Sequence, residues 1–170
     1  MKTLKRILTI LFSVLIVLAL LAGGFGVYTA RRSFPKTNGN LTVAGLQAPV
    51  EVLRDAMGVP HIYAASAHDL FFSQGYVHAQ ERFWQMDFWR HISAGRLSEM
   101  FGDGSLGSDR FLRSMGWTRT AEQEFAQSDA GFRAALQAYA DGVNAYLADH
   151  AAAALSLEYA VLGLINKNYR

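Results

Sequence analysis

The chain contains no cysteine. That absence excludes disulfides, thiolate zinc sites and a thiol nucleophile, and it fits either side of a membrane. Among His61, His68, His78, His91 and His150 there is no pair at i, i+4 spacing and no H-E-x-x-H run, so the helical zinc patterns are missing. There is no basic patch either. The formal charge is +2, yet Lys2, Lys5, Arg6, Arg31, Arg32 and Lys36 all precede residue 37. Setting those six aside leaves ten basic against fourteen acidic residues, a net of −4. The basic residues flank a hydrophobic segment, which argues against nucleic acid as a partner. No internal repeat is present.

The longest stretch without charge is Ile7 to Ala30, 24 residues dominated by Leu, Ile, Val, Phe and Ala. That length suffices for a tilted transmembrane helix. A cleaved signal peptide could end at Ala22-Gly23-Gly24, but length and the unbroken apolar run fit an uncleaved signal-anchor better, with the basic head cytoplasmic and the body exported. If residues 1–24 are cleaved, the body is secreted. The expected organisation is an anchor at 1–32, a Pro/Gly/Asn linker at 33–40 and one body at 41–170, enough for a real core.

The body opens with a predicted strand at Leu41–Leu46. A β-hairpin follows, Val50–Arg54 and Pro60–Ala64, joined through the Asp55-Ala56-Met57-Gly58 turn. A long helix then runs from a Ser66 N-cap, with Asp69 as capping-box-like partner, to a stop at Gly95, with Gly75 a candidate bend. Val77, Trp84, Phe88 and Ile92 line one of its faces; Phe72, Tyr76, Ala79, Phe83 and Met86 line another. A helix apolar on two faces is buried on two faces, so Gln80, Glu81, Arg82, Gln85, Asp87 and Arg90 should be half-buried or paired. Helical turns at Arg96–Phe101, a loop at Gly102–Ser108 and short helices at Asp109–Met115 and Trp117–Gln127 come next. A helix capped by Ser128 spans Asp129 to Ala148, with Phe132, Leu136, Tyr139, Val143 and Tyr146 as its stripe and Gly142 marking close packing. Leu155–Arg170 reads as a last short apolar segment.

Four patterns invite chemistry, and each has a plainer explanation. Gly102–Gly107 fits G-x-G-x-x-G, but a helix rather than a strand precedes it, so a turn is expected. Ser33-Phe34-Pro35-Lys36 fits S-x-x-K, but it follows a membrane segment and contains proline, so a linker is expected. Glu81, Asp87 and Glu99 lie among Arg82, Arg90 and Arg96, where ion pairs such as Asp87–Arg90 at i, i+3 are expected over an acid/base dyad. Trp84 and Trp89 read as packing residues rather than an acyl pocket.

Ordered blocks carry a resemblance. Arg54-Asp55, then Gly58 to Ala64 (GVPHIYA), then Gly75-Tyr76, Ala79-Gln80, Arg82, Gln85-Met86-Asp87, then Gly95 to Glu99 (GRLSE) and Gly102 resemble the small-subunit region of the penicillin acylase (penicillin amidase) family. The YADGVNAYL run from Tyr139 to Leu147 resembles the family's corresponding helix. Glu81 departs from the Asp common at that position, a change conservative in charge. The resemblance implies an α+β fold: the N-terminal part of an Ntn-hydrolase αββα sandwich, mostly helical in this segment, with a short hairpin and a preceding transmembrane helix.

The resemblance also implies an exported, self-cleaving amidohydrolase acting on N-acyl amides. In such enzymes the N-terminal Ser of the large subunit is the nucleophile and its own α-amino group the base, with backbone and Asn donors holding the oxyanion. Those residues map beyond Arg170, and so does the carboxylate that binds calcium in some members. The expected catalytic, cofactor-binding and metal residues within this chain are therefore none. The expected partners are the large subunit of the same precursor, an N-acyl amide substrate, and the membrane through residues 7–30. The rival reading, a membrane-anchored helical interaction module without catalysis, accounts for the anchor but not for the ordered blocks.

Overall fold

The computed structural model describes residues 2–163, of which most are helical. The first element, α1 (Lys2–Arg32), includes a 28-residue stretch, Lys5–Arg32, long and apolar enough to cross a membrane and unburied by the rest of the chain. The predicted strand at Leu41–Leu46 does not form. Gly45 takes a positive φ of 108°, and the Asp69 carboxylate draws in the next backbone amides, accepting from Gln47 N at 2.9 Å and Ala48 N at 3.2 Å. Both features turn the chain where a strand would have to stay extended.

The hairpin is β1 (Glu51–Arg54) and β2 (Pro60–Tyr63), antiparallel, with Val52 opposite Ile62 and Leu53 opposite His61. Asp55 Oδ1 accepts from both Met57 N and Val59 N at 2.9 Å, and Gly58 supplies a φ of +81°. This is the Asx-turn chemistry its sequence offers. These two strands form the only sheet among the described residues. Val52 and Leu53, adjacent in β1, are 37% and 49% exposed. Since neighbouring strand residues point to opposite faces, both faces of the hairpin are partly open.

Helix α2 (Ala67–Ser93) is roughly 40 Å long. Ser66 caps it by accepting from Asp69 N at 3.0 Å. Asp69 does not close a capping box; its carboxylate holds the 47–48 backbone instead. The bend is not at Gly75. It lies at Arg82, whose φ of −140° and ψ of 24° break the helical run. After Gly95 come α3 (Ser98–Phe101), a 3-10 turn at Asp103–Ser105, α4 (Leu106–Met115) and α5 (Trp117–Gln127). The G-x-G-x-x-G run is thus that turn and the start of α4, following a helix. Ser33 Oγ donates to the Ala30 carbonyl at 2.9 Å, a helix-end contact that leaves the S-x-x-K run as linker. Helix α6 (Ala130–Ala148) is capped by Asp129, one residue later than expected. Ser128 instead donates its hydroxyl to Glu124 O and closes α5. Helices α7 (Ala152–Leu155) and α8 (Leu157–Leu162) end the described chain; the remainder of the apolar segment expected to reach Arg170 lies outside it.

The core is a cluster of Ala79, Phe83, Val143, Tyr146, Leu147, Leu155 and Tyr159. Of the stripe expected on α6, Tyr139, Val143 and Tyr146 face inward, while Phe132 and Leu136 stay exposed. What sets the α2/α6 distance is glycine. A Cβ on Gly142 would land on the Phe72 carbonyl oxygen, and a Cβ on Gly75 would land on the Tyr139 carbonyl oxygen. Each helix therefore meets the other's backbone through a residue without a side chain. Alanine is the better helix former by about 1 kcal/mol, but here it forces the helices apart. Gly75→Ala and Gly142→Ala should each cost about 3 kcal/mol, the upper end for overpacking, in urea unfolding of the detergent-solubilised chain. Gly107→Ala, where nothing lies within 4 Å, should be neutral or stabilising.

Candidate functional site

The most connected polar group is Asp87, buried on α2 after the Arg82 break. Its Oδ1 accepts from Arg90 Nη2 at 2.6 Å and Nε at 3.1 Å. Its Oδ2 accepts from the Tyr159 hydroxyl of α8, 72 residues further along the chain. His91 Nδ1 lies 2.7 Å from the Asp87 carbonyl oxygen, a geometry in which the ring N–H donates. Tyr159 also stacks on Phe83 and meets Trp84 edge-on. Burial, and then the bond to Asp87, push the Tyr159 phenol well above its ordinary range. Both carboxylate oxygens of Asp87 accept hydrogen bonds. The arrangement ties α8 to α2.

The other buried carboxylates also hold backbone. Asp109 on α4 accepts from Leu97 N at 2.7 Å and Ser98 N at 2.8 Å, capping α3 from outside. Desolvation raises its pKa, but the donors from Ser98 and Leu97 outweigh it and the net shift is downward. Asp69 is lowered by the Gln47 amide above all, with His68 beside it. Glu81 pairs with Arg54 and so joins the hairpin to α2. His61 lies 3.5 Å from Asp55 across the turn, and His78 shares a 2.9 Å contact with the Tyr139 hydroxyl. The Asp87–Arg90 pairing was legible from its spacing. Tyr159 as third member and Asp109 as a cap were not, because nothing local in sequence marks either.

A cleft of about 370 Å³ separates the 36–54 segment from α2, with Arg54, Phe72, Tyr76 and Gln80 in its wall. Gln80 Nε2 reaches across it to the Lys36 carbonyl at 2.9 Å. Among the described residues no three His, Asp or Glu side chains converge to hold a metal ion.

The fold and its ion-pair framework define a mostly helical module with a two-stranded hairpin, of the kind seen in thermostable penicillin G acylase from Alcaligenes faecalis. The two match with a TM-score of 0.65 and 31% identity over 71% of this chain and 65% of that one. The penicillin amidase family model matches residues 49–170, and the chain belongs to that family. Penicillin acylase 2 proenzyme of Pseudomonas sp. (strain SE83) is 38% identical over 131 residues, covering 77% of this chain and 17% of that protein. Acyl-homoserine lactone acylase QuiP of Pseudomonas aeruginosa is 40% identical over 115 residues, covering 68% and 14%. The chain thus spans about a sixth of the length of the curated relatives it matches.

The titrating groups set opposite pH limits. Burial pushes Tyr146 from its ordinary 10.0 up to about 12, and Tyr159 moves in the same direction. A phenol whose folded pKa is raised contributes stability that is complete below pH 10 and is lost as pH rises from about 10 toward 12. Asp69 and Asp109 are lowered, so their contribution is present above about pH 4 and fades as pH falls below it. Helix content followed by circular dichroism should collapse at the alkaline limit as tyrosinate absorbance rises. Tyr159→Phe should cost about 1.5–3 kcal/mol at neutral pH, the value of a bond to a charged acceptor, and should flatten the alkaline limb. Tyrosine ionisation without loss of helix would contradict this assignment.

Proposed function

We propose that this chain is the N-terminal, small-subunit side of an exported amidohydrolase that cleaves N-acyl amides. The observation that carries this reading is the run of family blocks laid on one continuous framework: the GVPHIYA hairpin, the α2 helix and the GRLSE turn joined by Arg54–Glu81, Arg90–Asp87 and Asp109. In this reading a large subunit of the same precursor completes the αββα sandwich and brings the nucleophilic Ser. The buried carboxylates of the present chain hold its segments together, which supports a structural share of the work. Its relatives include both a penicillin acylase and an acyl-homoserine lactone acylase, so the substrate class is an acyl group on nitrogen, with the leaving amine open.

The test is a chimera. In the penicillin acylase 2 proenzyme, this whole chain replaces the N-terminal stretch that it matches. The chimera should process itself and hydrolyse a chromogenic phenylacetyl or long-chain acyl amide, while the 170-residue chain alone should not. Turnover by the isolated chain, or a chimera that neither processes nor turns over, would overturn the reading.

The reading includes an anchor. A 28-residue apolar stretch with no burial against the body exceeds the roughly 30 Å needed to cross the hydrocarbon. With the body outside the cytoplasm, an alkaline carbonate wash should leave the chain in the membrane pellet. Deleting residues 7–30 should release it. Release of the unmodified chain as a full-length soluble protein would refute anchoring; release after loss of its first residues would point to cleavage instead.

A further inference from the structure

Four arginines belong to the hairpin, α2 and the turn beyond it, and three have a carboxylate: Arg54 with Glu81, Arg90 with Asp87, Arg96 with Glu99. The fourth, Arg82, has no such partner among the described residues and is exposed. It also stands at the one break in α2. Before the break, Phe72 and Gly75 meet α6; after it, Asp87 meets α8. Gln85 and Trp89, at i and i+4 in the regular helix past that break, share a stripe with Arg82 at its head. Gln85 is exposed and Trp89 is 65% exposed. The opposite side of the same turns carries Phe83, Asp87 and His91, all buried.

The stripe is thus a guanidinium, an amide and an indole in a row on an otherwise packed helix. Arginine and tryptophan are enriched among the residues that dominate protein interfaces. The chain aligns with only 17% of a proenzyme, so most of a complete family member lies outside it. We propose that Arg82, Gln85 and Trp89 are a docking stripe for the large subunit, which presents a carboxylate to Arg82 and an apolar recess to Trp89. This rests on the function proposed above.

The processed chimera provides the test, with subunit dissociation followed in dilute urea by size-exclusion chromatography. Arg82→Glu and Trp89→Ala should each speed dissociation at least ten-fold, Arg82→Lys should do so less, and Arg119→Glu on exposed α5 should change nothing. Because these side chains are exposed, the melting of the uncleaved 170-residue chain should stay the same for every variant, which separates docking from folding. An active chimera whose dissociation ignores Arg82 and Trp89 overturns the stripe and leaves the function standing. Loss of self-association of the isolated chain, or of its binding to anionic vesicles, on Arg82→Glu with no change in subunit dissociation also overturns it, in favour of a second copy or a lipid surface. An unmutated chimera that neither processes nor turns over overturns the function and the stripe together.

Discussion

Two glycines facing two carbonyls decide how this chain folds. Gly75 on α2 sits against Tyr139 O, and Gly142 on α6 against Phe72 O, so the helices approach at backbone distance rather than at the distance side chains impose. Close approach is what lets Ala79, Val143 and Tyr146 pack without voids, since interiors tolerate neither gaps nor excess volume. From that crossing the rest is placed: the hairpin by Arg54 on Glu81, α8 by Tyr159 on Asp87, α3 by Asp109. A helix propensity scale scores both glycines as errors. The tertiary contact reverses the sign, because backbone contact outweighs the entropy glycine costs.

The carboxylates show how a region dense in acid and arginine holds its own backbone in place. Asp55, Asp69 and Asp109 each accept two backbone amides, and Asp87 accepts from Arg90 and Tyr159. These contacts hold Asp55, Asp69 and Asp109 below their ordinary pKa. Charge here replaces missing hydrogen-bond partners at turns and helix starts, an economical solution in a chain without disulfides.

Sequence order predicted the elements better than their joints. The hairpin turn was legible because Asp55 and Gly58 carry their conformations with them, and the Ser66 cap and α5 because caps and breaks are local. The errors fall where a distant group intervenes. Leu41–Leu46 has strand composition but no partner strand, and Asp69 pulls the chain after it into a bend. Ser128 was the natural cap for α6, yet its hydroxyl goes backward to Glu124 and Asp129 takes the role. Phe132 and Leu136 complete a periodic stripe that the core does not reach. Of the polar framework, only the i, i+3 pair Asp87–Arg90 could be read; Tyr159 lies 72 residues away, where periodicity carries no information.

That last error points to the larger shape. A stripe running past the end of its core, a hairpin open on both faces and a tryptophan in water are ordinary faults singly. The stripe and the tryptophan sit on the outer sides of helices whose inner sides are buried. A two-stranded hairpin is marginal in isolation and gains stability from a third strand or a covering layer. Periodic apolar positions that stay exposed are not random, because random substitution on a solvated face does not preserve helical spacing. The sequence therefore carries two sets of apolar positions. One is satisfied within the chain, around Gly75 and Gly142. The other lies on the outside of the same helices, where Phe132, Leu136 and Trp89 stay exposed.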